Sequence, residues 1–387
     1  MKKKCIIILF NIIALITLSS IAYSENDELV ELNSYKEYIK LSNPYPKQGT
    51  PERQKYNEAY NQSNQELKNL LTLINENRKM ELQGKQIDRS KLTHMPKFDV
   101  FNYPLIDGST STIPLSLILA CKILNIEYKW IWGTSTHARY VGLSRVEAIS
   151  TNKRLNDIIT LSISKHTGTN TAYMRLVEKK ADIILVARKP SEDEIKAAKT
   201  ENVEFEYVPI ALDAFVFIEN RANPMRKLST ENIKGIYSGK YSNWKDIGGE
   251  DIPIVPFQRE RNSGSQEMMI SEFMKETPIK KAMQDLVVFN MDGPYFGLTE
   301  KPYGISYSVY YYEHFQAVSP YTRLIEIDGV LAGYETIRTR KYPYTTEVYE
   351  VIRKDEPFGT GVRLLYNWLQ TEEGQKLVME SGYVPIN

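Results

Sequence analysis

Residues 98–124 read FDVFNYPLIDGSTSTIPLSLILACKIL and contain the repeating unit of the fold. They begin with a strand-like apolar segment and end with an apolar helical run, and four consecutive hydroxyl side chains, Ser109 to Thr112, stand between the two. Unpaired N–H groups at a helix start bind hydroxyl side chains or an anion, and ordinary capping is the commoner reason for such residues. The stretch therefore predicts a β-strand, a hydroxyl-rich junction and an α-helix.

The same order of strand, junction and helix recurs as far as residue 219. Strand-like and helix-like segments follow each other as LNDIITLSIS and TAYMRLVEKK, then ADIILVAR and SEDEIKAAKT, then VEFEYVPIALDAFVFIE. Strands separated by helices of this length are typical of an α/β domain with a mainly parallel sheet. Because ligands of such sheets lie beyond the carboxyl ends of the strands, the junctions are candidate binding loops. These junctions contain Ser109–Thr112, Thr167-Gly168-Thr169, Arg188 and Ser191.

A second α/β unit begins near Leu212. The segment DAFVFIENRANP reads as a strand that runs into a turn, and LSTENIKGIYSGKYSNWKDIGG and the strand IPIVPFQ follow it. The last segments, EVYEVIR and GTGVRLLYNWLQTEEGQKLVMESGY, are expected to return to the first unit. We therefore predict a two-lobed α/β fold, with residues 98–211 and 331–387 in lobe 1 and residues 212–330 in lobe 2. Each lobe is expected to have a mainly parallel sheet flanked by helices, with the ligand cleft between the lobes.

Lobe 2 has a hydroxyl-rich junction of its own in residues 256–269, PFQRERNSGSQEMM. Ser263, Gly264 and Ser265 stand at the start of a helical run, where free N–H groups and a partial positive charge favour an anion. Arg259, four residues earlier, can grip an oxyanion with two of its N–H groups. Each junction alone is explained by an N-cap, but one in each lobe predicts an anion site that the lobes share.

The first 24 residues have the layout of a secretory signal peptide. Three lysines precede the apolar run CIIILFNIIALITL, and small and polar residues lead to Ser24. We expect cleavage near Ser24 and export to the periplasm or the extracellular space. A retained membrane anchor is the alternative, although the run is short for a bilayer span.

Residues 25–97 are polar and partly helical, and we predict an N-terminal extension rather than a domain. One helix, NEAYNQSNQELKNLLTLINENRKMEL, has a single apolar face formed by Leu67, Leu70, Leu71 and Ile74. Such a face packs on the main body or meets a partner, and packing on the main body is the commoner outcome.

Composition excludes several classes of function. The chain has 49 basic and 48 acidic residues, so we expect no general attraction to nucleic acid or to a membrane surface. The four histidines, His94, His137, His166 and His314, are scattered, and no metal or cofactor is predicted. Cys121 is the sole cysteine after a signal peptide is removed, so it is expected to be buried and inert, without a disulfide. We expect a monomer.

From residue 98 to residue 387 the chain resembles the substrate-binding proteins of phosphate ABC transporters, within the two-lobed periplasmic binding proteins. The likeness rests on four stretches: DGSTSTIPL; IALDAFVFIENRANP leading into LSTENIKGIYSGKYSNWKDIGG; PFQRERNSGSQEMM; and LYNWLQTEEGQKLVMESGYVPIN. The resemblance implies a protein that is not an enzyme, captures phosphate between its lobes and delivers it to a membrane permease.

In that family, backbone amides, Ser and Thr hydroxyls, one Arg and one Asp hold a dehydrated phosphate. By motif, the resemblance places ligand-binding residues at Ser111, Thr112, Thr169, Arg259, Ser263, Gly264 and Ser265, with Thr110, Gly168 and Arg188 as further candidates. Lobe closure would complete the shell around the anion. Hinges are expected in DAFVFIENRANP and in a return strand near residues 333–339.

The chain departs from the family pattern at Ala187-Arg188-Lys189-Pro190, where the family has Ser-Asp before the proline. That aspartate accepts the proton that phosphate carries and sulfate lacks. Either Asp107 or Glu260 takes this role, or selectivity for phosphate is reduced, or Arg188 is a second cationic ligand for a larger anion. In the remaining alternative Arg188 faces solvent or pairs with Glu192.

Two rival functions remain open from the sequence. A secreted serine hydrolase would use Ser263 or Ser265, but neither lies in a Gly-x-Ser-x-Gly elbow and no histidine lies in a segment that suggests a partner base. The binding-protein scaffold is also reused for sensing or adhesion, in which case the extension would be the interacting element.

Overall fold

The computed structural model describes residues 27–28, 30–134, 142–150, 152–159 and 164–386. The predicted signal peptide with its cleavage point near Ser24 lies outside the described residues, and so does His137. Within the described ranges, every helix is too short or too polar to cross a bilayer.

Helices and short strands alternate along the chain. The α-helices are α1 Asn33–Leu41, α2 Pro51–Gln83, α3 Ile113–Ile123, α4 Lys153–Ile158, α5 Thr169–Val177, α6 Glu192–Thr200, α7 Thr230–Ser238, α8 Gly264–Met268, α9 Gly293–Glu300, α10 Tyr334–Arg338, α11 Gly361–Leu369 and α12 Glu372–Glu380. Helical turns of 3₁₀ type lie at Arg89–Lys91, Thr110–Thr112, Trp244–Ile247 and Gln284–Leu286, and π-type turns lie at Met269–Met274 and Tyr312–Gln316.

The strands are β1 Ile106–Gly108, β2 Glu127–Ile131, β3 Gly142–Leu143, β4 Arg145–Ile149, β5 Ile183–Val186, β6 Phe205–Asn220, β7 Lys227–Leu228, β8 Val255–Pro256, β9 Gln258–Arg259, β10 Val287–Val288, β11 Gly304–Val309, β12 Ala317–Val318, β13 Thr322–Leu324, β14 Glu326–Ile327, β15 Thr345–Arg353 and β16 Val384–Pro385. Eight of them form one sheet in the order β1-β5-β15-β6-β11-β8, with β13 and β16 also paired to β6. Residues 205–214 of β6 pair with β15 except at a bulge at Ile210, and residues 215–220 pair with β11 or β13. This one strand therefore passes from lobe 1 into lobe 2, and the predicted two-lobed α/β fold is confirmed.

Parallel pairs join the strands that carry the predicted site loops. They are β1 with β5, β8 with β11 and β9 with β10. The pairs of β15 with β5 and β6, and of β6 with β11, are antiparallel. A strand that leaves a lobe and a strand that returns to it run in opposite directions. The connections between lobes therefore add antiparallel pairs that the expectation of mainly parallel sheets did not include.

Two predicted strands differ from the prediction within the residues that the structure describes, and residues 160–163 of the second strand lie outside them. Residues 100–102 form a turn and residues 98–105 contain no strand, because the Asp99 side chain accepts hydrogen bonds from the backbone N–H groups of Phe101 and Asn102. The segment LNDII is helical and belongs to α4, which Asn152 caps by accepting from the backbone N–H of Leu155. Local capping outweighed the apolar run in both places.

The return to lobe 1 also differs from the prediction. Residues 334–338 form the helix α10, and the returning strand is β15. Ile337 and Tyr342, which the prediction assigned to lobe 1, pack in the core of lobe 2. The Phe215 N–H donates to the carbonyl of Tyr344 just before β15 begins. In the structure the chain therefore re-enters lobe 1 near residue 345 rather than 331.

The N-terminal extension packs along the main body as two helices. The predicted apolar face of α2 packs with Leu32 and Tyr35 and with Ala222, Val318 and Tyr321 of lobe 2. A buried ion pair between Arg78 of α2 and Asp27, 3.0 Å long, joins two parts of the extension, and Arg78 Nε donates to the His314 carbonyl of the main body. At the end of α2, Leu82 packs in the core of lobe 1. The extension therefore contacts both lobes.

Candidate functional site

A cavity of about 650 Å³ lies between the two lobes. Its lobe 1 wall includes Ser109, Thr110, Ser111, Thr167, Gly168 and Thr169. Its lobe 2 wall includes Arg259, Glu260, Ser263, Gly264, Ser265 and Met291. The two hydroxyl-rich junctions predicted from the sequence thus face each other across one cavity.

The lobe 1 wall is tied together by hydroxyl groups at the carboxyl ends of β1 and β5. The hydroxyls of Ser109 and Thr169 lie 2.7 Å apart and share a hydrogen bond, and the Ala187 N–H donates to Ser109 Oγ at 3.1 Å. Gly108 allows this approach, since an ideal Cβ there would lie 2.2 Å from the Leu185 carbonyl oxygen. Three loops therefore meet at one edge of the sheet.

Thr112 does not line the cavity, contrary to the placement by motif. Its hydroxyl donates to the carbonyl oxygens of Ser109 at 2.9 Å and Leu185 at 2.8 Å, and its side chain is fully buried. Thr112 therefore stabilises the turn between β1 and α3 from its buried side. Ser111 lies at the cavity, with its carbonyl held by the Gln316 side chain at 2.8 Å.

Asp107 positions a neighbouring loop and does not reach the cavity. One carboxylate oxygen accepts hydrogen bonds from the backbone N–H groups of Gly108 at 2.7 Å and Thr167 at 2.8 Å. The other oxygen accepts from Arg175 Nε at 2.6 Å. Because both oxygens are occupied and the side chain is buried, Asp107 does not fit the role of proton acceptor for a ligand.

In lobe 2, Ser263 caps α8 and so orients the loop. Its Oγ accepts the Gln266 N–H at 3.2 Å, and Asn262 before it has a left-handed backbone, with φ of 70°. The helix begins at Gly264, within the predicted junction, and continues into the π-type turn. Gly264 and Ser265 are therefore its first residues and line the cavity.

Arg259 lies at the end of β9 with 5% of its surface exposed. Its Nε and Nη2 donate to the two Glu260 carboxylate oxygens at 3.2 and 3.0 Å. Its backbone N–H donates to the Tyr307 hydroxyl at 3.0 Å, and burial raises the pKa of Tyr307 far above its ordinary value. The neutral phenol fixes the backbone, and Glu260 fixes the guanidinium beside the cavity.

Arg188 turns away from the cavity, which corrects its place among the candidate ligands. Its guanidinium pairs with Glu194 through two contacts of 2.8 Å, and Ala187 lines the cavity in its place. The partner is Glu194 rather than Glu192 because Ser191 and Glu194 form the capping box of α6.

Sequence reasoning missed the loop after β10. Asn290, Met291 and Asp292 line the cavity between β10 and α9. The run VVFNMDGPYFGLTE has the same order of strand, polar junction and helix as the other two loops, so a signal was present. The strand itself is two residues long, which made it easy to overlook.

A family model described as a PBP superfamily domain matches residues 144–373. This chain belongs to the PBP superfamily. Among curated relatives, the phosphate-binding protein PstS of Borreliella burgdorferi is 23% identical over 224 residues, which cover 57% of this chain and 77% of that protein. Protein SphX of Synechococcus elongatus is 22% identical over 246 residues, which cover 61% of this chain and 70% of that protein.

Two solved structures share the PBP fold with this chain. One is a phosphate ABC transporter substrate-binding protein with bound phosphate from Clostridium perfringens, with a TM-score of 0.52, 20% identity and coverage of 74% of this chain and 100% of the other. The second is an ABC-type phosphate transport receptor from Vibrio cholerae, with a TM-score of 0.50, 20% identity and coverage of 73% and 99%. At this identity the likeness establishes the fold alone.

Burial shifts the pKa values of two side chains of this PBP superfamily member that could otherwise bind a metal, His166 and Cys121. Burial lowers the pKa of His166, beside the cavity, to about 4, so its ring is neutral at neutral pH. Burial also raises the pKa of the Cys121 thiol to about 12, which suppresses thiolate chemistry. Across the described ranges, no three His, Cys, Asp or Glu side chains are grouped as metal ligands would be.

Proposed function

We propose that this protein is an exported solute-binding protein that captures phosphate in its interlobe cleft and delivers it to an ABC transporter permease. The observation that carries the proposal is the pairing of Ser111 and Thr169 of lobe 1 with Ser265 and Arg259 of lobe 2 across one cavity. The names of the PstS relatives and the phosphate-bound relative from Clostridium perfringens support the same ligand.

The cavity is suited to an anion stripped of water. Each buried oxygen without a partner costs about 1–3 kcal/mol, so a dehydrated anion needs a donor on every side. Hydroxyl and backbone N–H groups supply donors from both lobes without adding buried charge. Arg259 adds the charge-assisted hydrogen bonds that distinguish an anion from a neutral solute.

Binding without chemistry fits the hydroxyl groups better than hydrolysis does. Ser263 Oγ accepts the cap hydrogen bond from Gln266, and Ser265 Oγ contacts the Met291 sulfur. In the described part of the chain, neither hydroxyl is hydrogen-bonded to a histidine that would serve as its base.

Selectivity for phosphate over sulfate requires an acceptor for the phosphate proton, and we assign this role to a carboxylate of lobe 2. Glu260 and Asp292 both line the cavity, whereas Asp107 does not. Both Glu260 oxygens already accept hydrogen bonds from Arg259. Asp292 is therefore the preferred acceptor. Sulfate, which has no proton at neutral pH, would meet only repulsion there.

The size of the cavity favours a second candidate, a small phosphate monoester. About 650 Å³ is within the range of roughly 300–1,000 Å³ typical of small-molecule sites. A phosphoryl group held by Arg259 and Ser265 would leave room for an organic substituent.

Calorimetric titration of the ligand-free mature protein with phosphate, sulfate and glycerol phosphate tests these assignments. Phosphate should bind at least about tenfold tighter than sulfate, the difference expected from one hydrogen bond to a charged group. Tighter binding of glycerol phosphate than of phosphate would favour the second candidate. Binding of none of the three would contradict the anion assignment.

A further inference from the structure

The thioether of Met291 lies at the point on which two proposed anion ligands converge. Its Sδ accepts from Arg259 Nη1 at 3.2 Å and lies 3.7 Å from Ser265 Oγ. Met291 also lines the interlobe cavity. The sulfur therefore occupies the place where an anion oxygen would accept the same two hydrogen bonds.

The backbone around Met291 explains how the side chain reaches this point. Val288 of β10 is paired in parallel with Arg259 of β9, so the loop after β10 starts beside the guanidinium. Asn290 then has φ of 57°, a left-handed conformation that asparagine tolerates better than most residues. Gly293 follows, with an ideal Cβ position 3.0 Å from Val288 Cβ, so the loop is tight. Tight backbone geometry thus directs Met291 toward Arg259.

Thioether chemistry suits a temporary partner. Sulfur is a weak acceptor, and the unbranched methionine side chain has three rotatable bonds with which to move aside. Arg259 is buried, and a buried donor without any acceptor is costly. A doubly charged oxyanion accepts far more strongly than a thioether and would replace it.

We propose that Met291 is an internal placeholder for the anion, which occupies the oxyanion position in the empty site and is displaced by the ligand. This inference rests on the proposed capture of phosphate. It predicts that Met291 lowers affinity and favours doubly charged tetrahedral oxyanions, because only a strong acceptor outcompetes the sulfur.

The first test compares Met291→Leu with Met268→Leu by phosphate titration. Leucine nearly preserves volume but removes the acceptor, so Met291→Leu should tighten phosphate binding about fivefold, as expected for one ordinary hydrogen bond. Met268 also borders the cavity but packs in the core of lobe 2, so Met268→Leu should leave the dissociation constant within about twofold. Unchanged or weaker binding by Met291→Leu would overturn the placeholder role, provided that the wild type binds phosphate.

The second test needs no ligand and separates the two hypotheses. The ¹³C-methyl NMR resonance of Met291, assigned by its loss in Met291→Leu, should shift in Arg259→Lys measured without anion. The Met268 methyl resonance should remain in place. An unmoved Met291 resonance would overturn the placeholder role even in a protein that binds no phosphate, whereas a shift without phosphate binding would count against the proposed function alone.

Discussion

A Cβ atom placed on Gly264 would lie only 2.6 Å from Oγ1 of Thr169. The start of α8 in lobe 2 and the start of α5 in lobe 1 are therefore in contact across the cleft. Thr169 is also hydrogen-bonded to Ser109, so it cannot swing aside without losing that bond. The lobes meet at a point that has no room for one more methyl group.

Gly264→Ala should therefore keep the lobes from closing and weaken phosphate binding. Overpacking typically costs about 1–3 kcal/mol, which corresponds to a loss of affinity of roughly 5- to 150-fold. Titration measures the loss of affinity. Small-angle scattering in the presence of phosphate should show a larger radius of gyration for the variant than for the wild type.

A double-mutant cycle identifies the cause. In a Thr169→Ala background the clash with Oγ1 is gone, so Gly264→Ala should cost less there than in the wild type. Equal costs in both backgrounds would mean that the contact between Gly264 and Thr169 does not limit closure.

Arg188→Ala should lower stability but not affinity. Glu194 has 1% of its surface exposed, and removal of its partner would leave a buried carboxylate unpaired, at a cost of about 3–5 kcal/mol in the free energy of unfolding. Urea unfolding measures the first effect and phosphate titration the second. A large loss of affinity without loss of stability would restore Arg188 as a second cationic ligand.

Asp213 should make stability depend on pH. It is buried where β6 passes between the lobes, and burial raises its pKa to about 7, although the N–H groups of Tyr311 and Ala214 favour the ionised form. In the unfolded chain its pKa is about 4, so the folded state binds more protons between about pH 4 and 7 and stability falls as pH rises through that range.

Asp213→Asn keeps an accepting oxygen but cannot ionise. Urea unfolding at pH 5 and pH 8 should show that the wild type loses about 2–3 kcal/mol more than this variant between the two values. The same pH dependence in both proteins would show that Asp213 ionises alike in the folded and unfolded states.

The extension should contribute to stability through Arg78. This side chain and Asp27 are both nearly inaccessible, and Arg78 Nε also donates to the His314 carbonyl at 2.9 Å. Arg78→Ala should lower the free energy of unfolding by about 3–5 kcal/mol. The exposed neighbour Lys79 provides the matched control, since Lys79→Ala should change it by no more than about 0.5 kcal/mol. Similar values for the two variants would mean that the extension is only loosely attached.

Local patterns predicted much of the fold because the decisive interactions are local. The start of α6 follows from the Ser191 hydroxyl and the Glu194 carboxylate, which lie within one turn, and the apolar face of α2 follows from helical spacing. The turn before β1 and the cap of α4 also depend on local contacts, but the apolar runs beside them favoured the prediction of strands. The return through β15 depended on which core Ile337 and Tyr342 join, and no local pattern specifies that choice.

Within the site, the sequence indicated the loops better than the individual side chains. Ser111 and Ser265 line the cavity, whereas Thr112 turns inward because a distant carbonyl, that of Leu185, accepts its hydroxyl hydrogen bond. Met291 reaches Arg259 only because β10 pairs with β9, a pairing of two residues from each strand. Such contacts between distant segments were beyond any local pattern.

Titration of phosphate into the ligand-free wild type, Arg259→Ala and Arg261→Ala tests most directly whether an anion is held between the lobes by Arg259. Both arginines lie in the same loop and border the cavity, but Arg259 is buried and Arg261 is exposed. Arg259→Ala should weaken binding at least about thirtyfold, because a buried charge-assisted partner is lost, and Arg261→Ala should weaken it no more than about threefold. Wild-type affinity in Arg259→Ala, or equal losses in the two variants, would contradict the account.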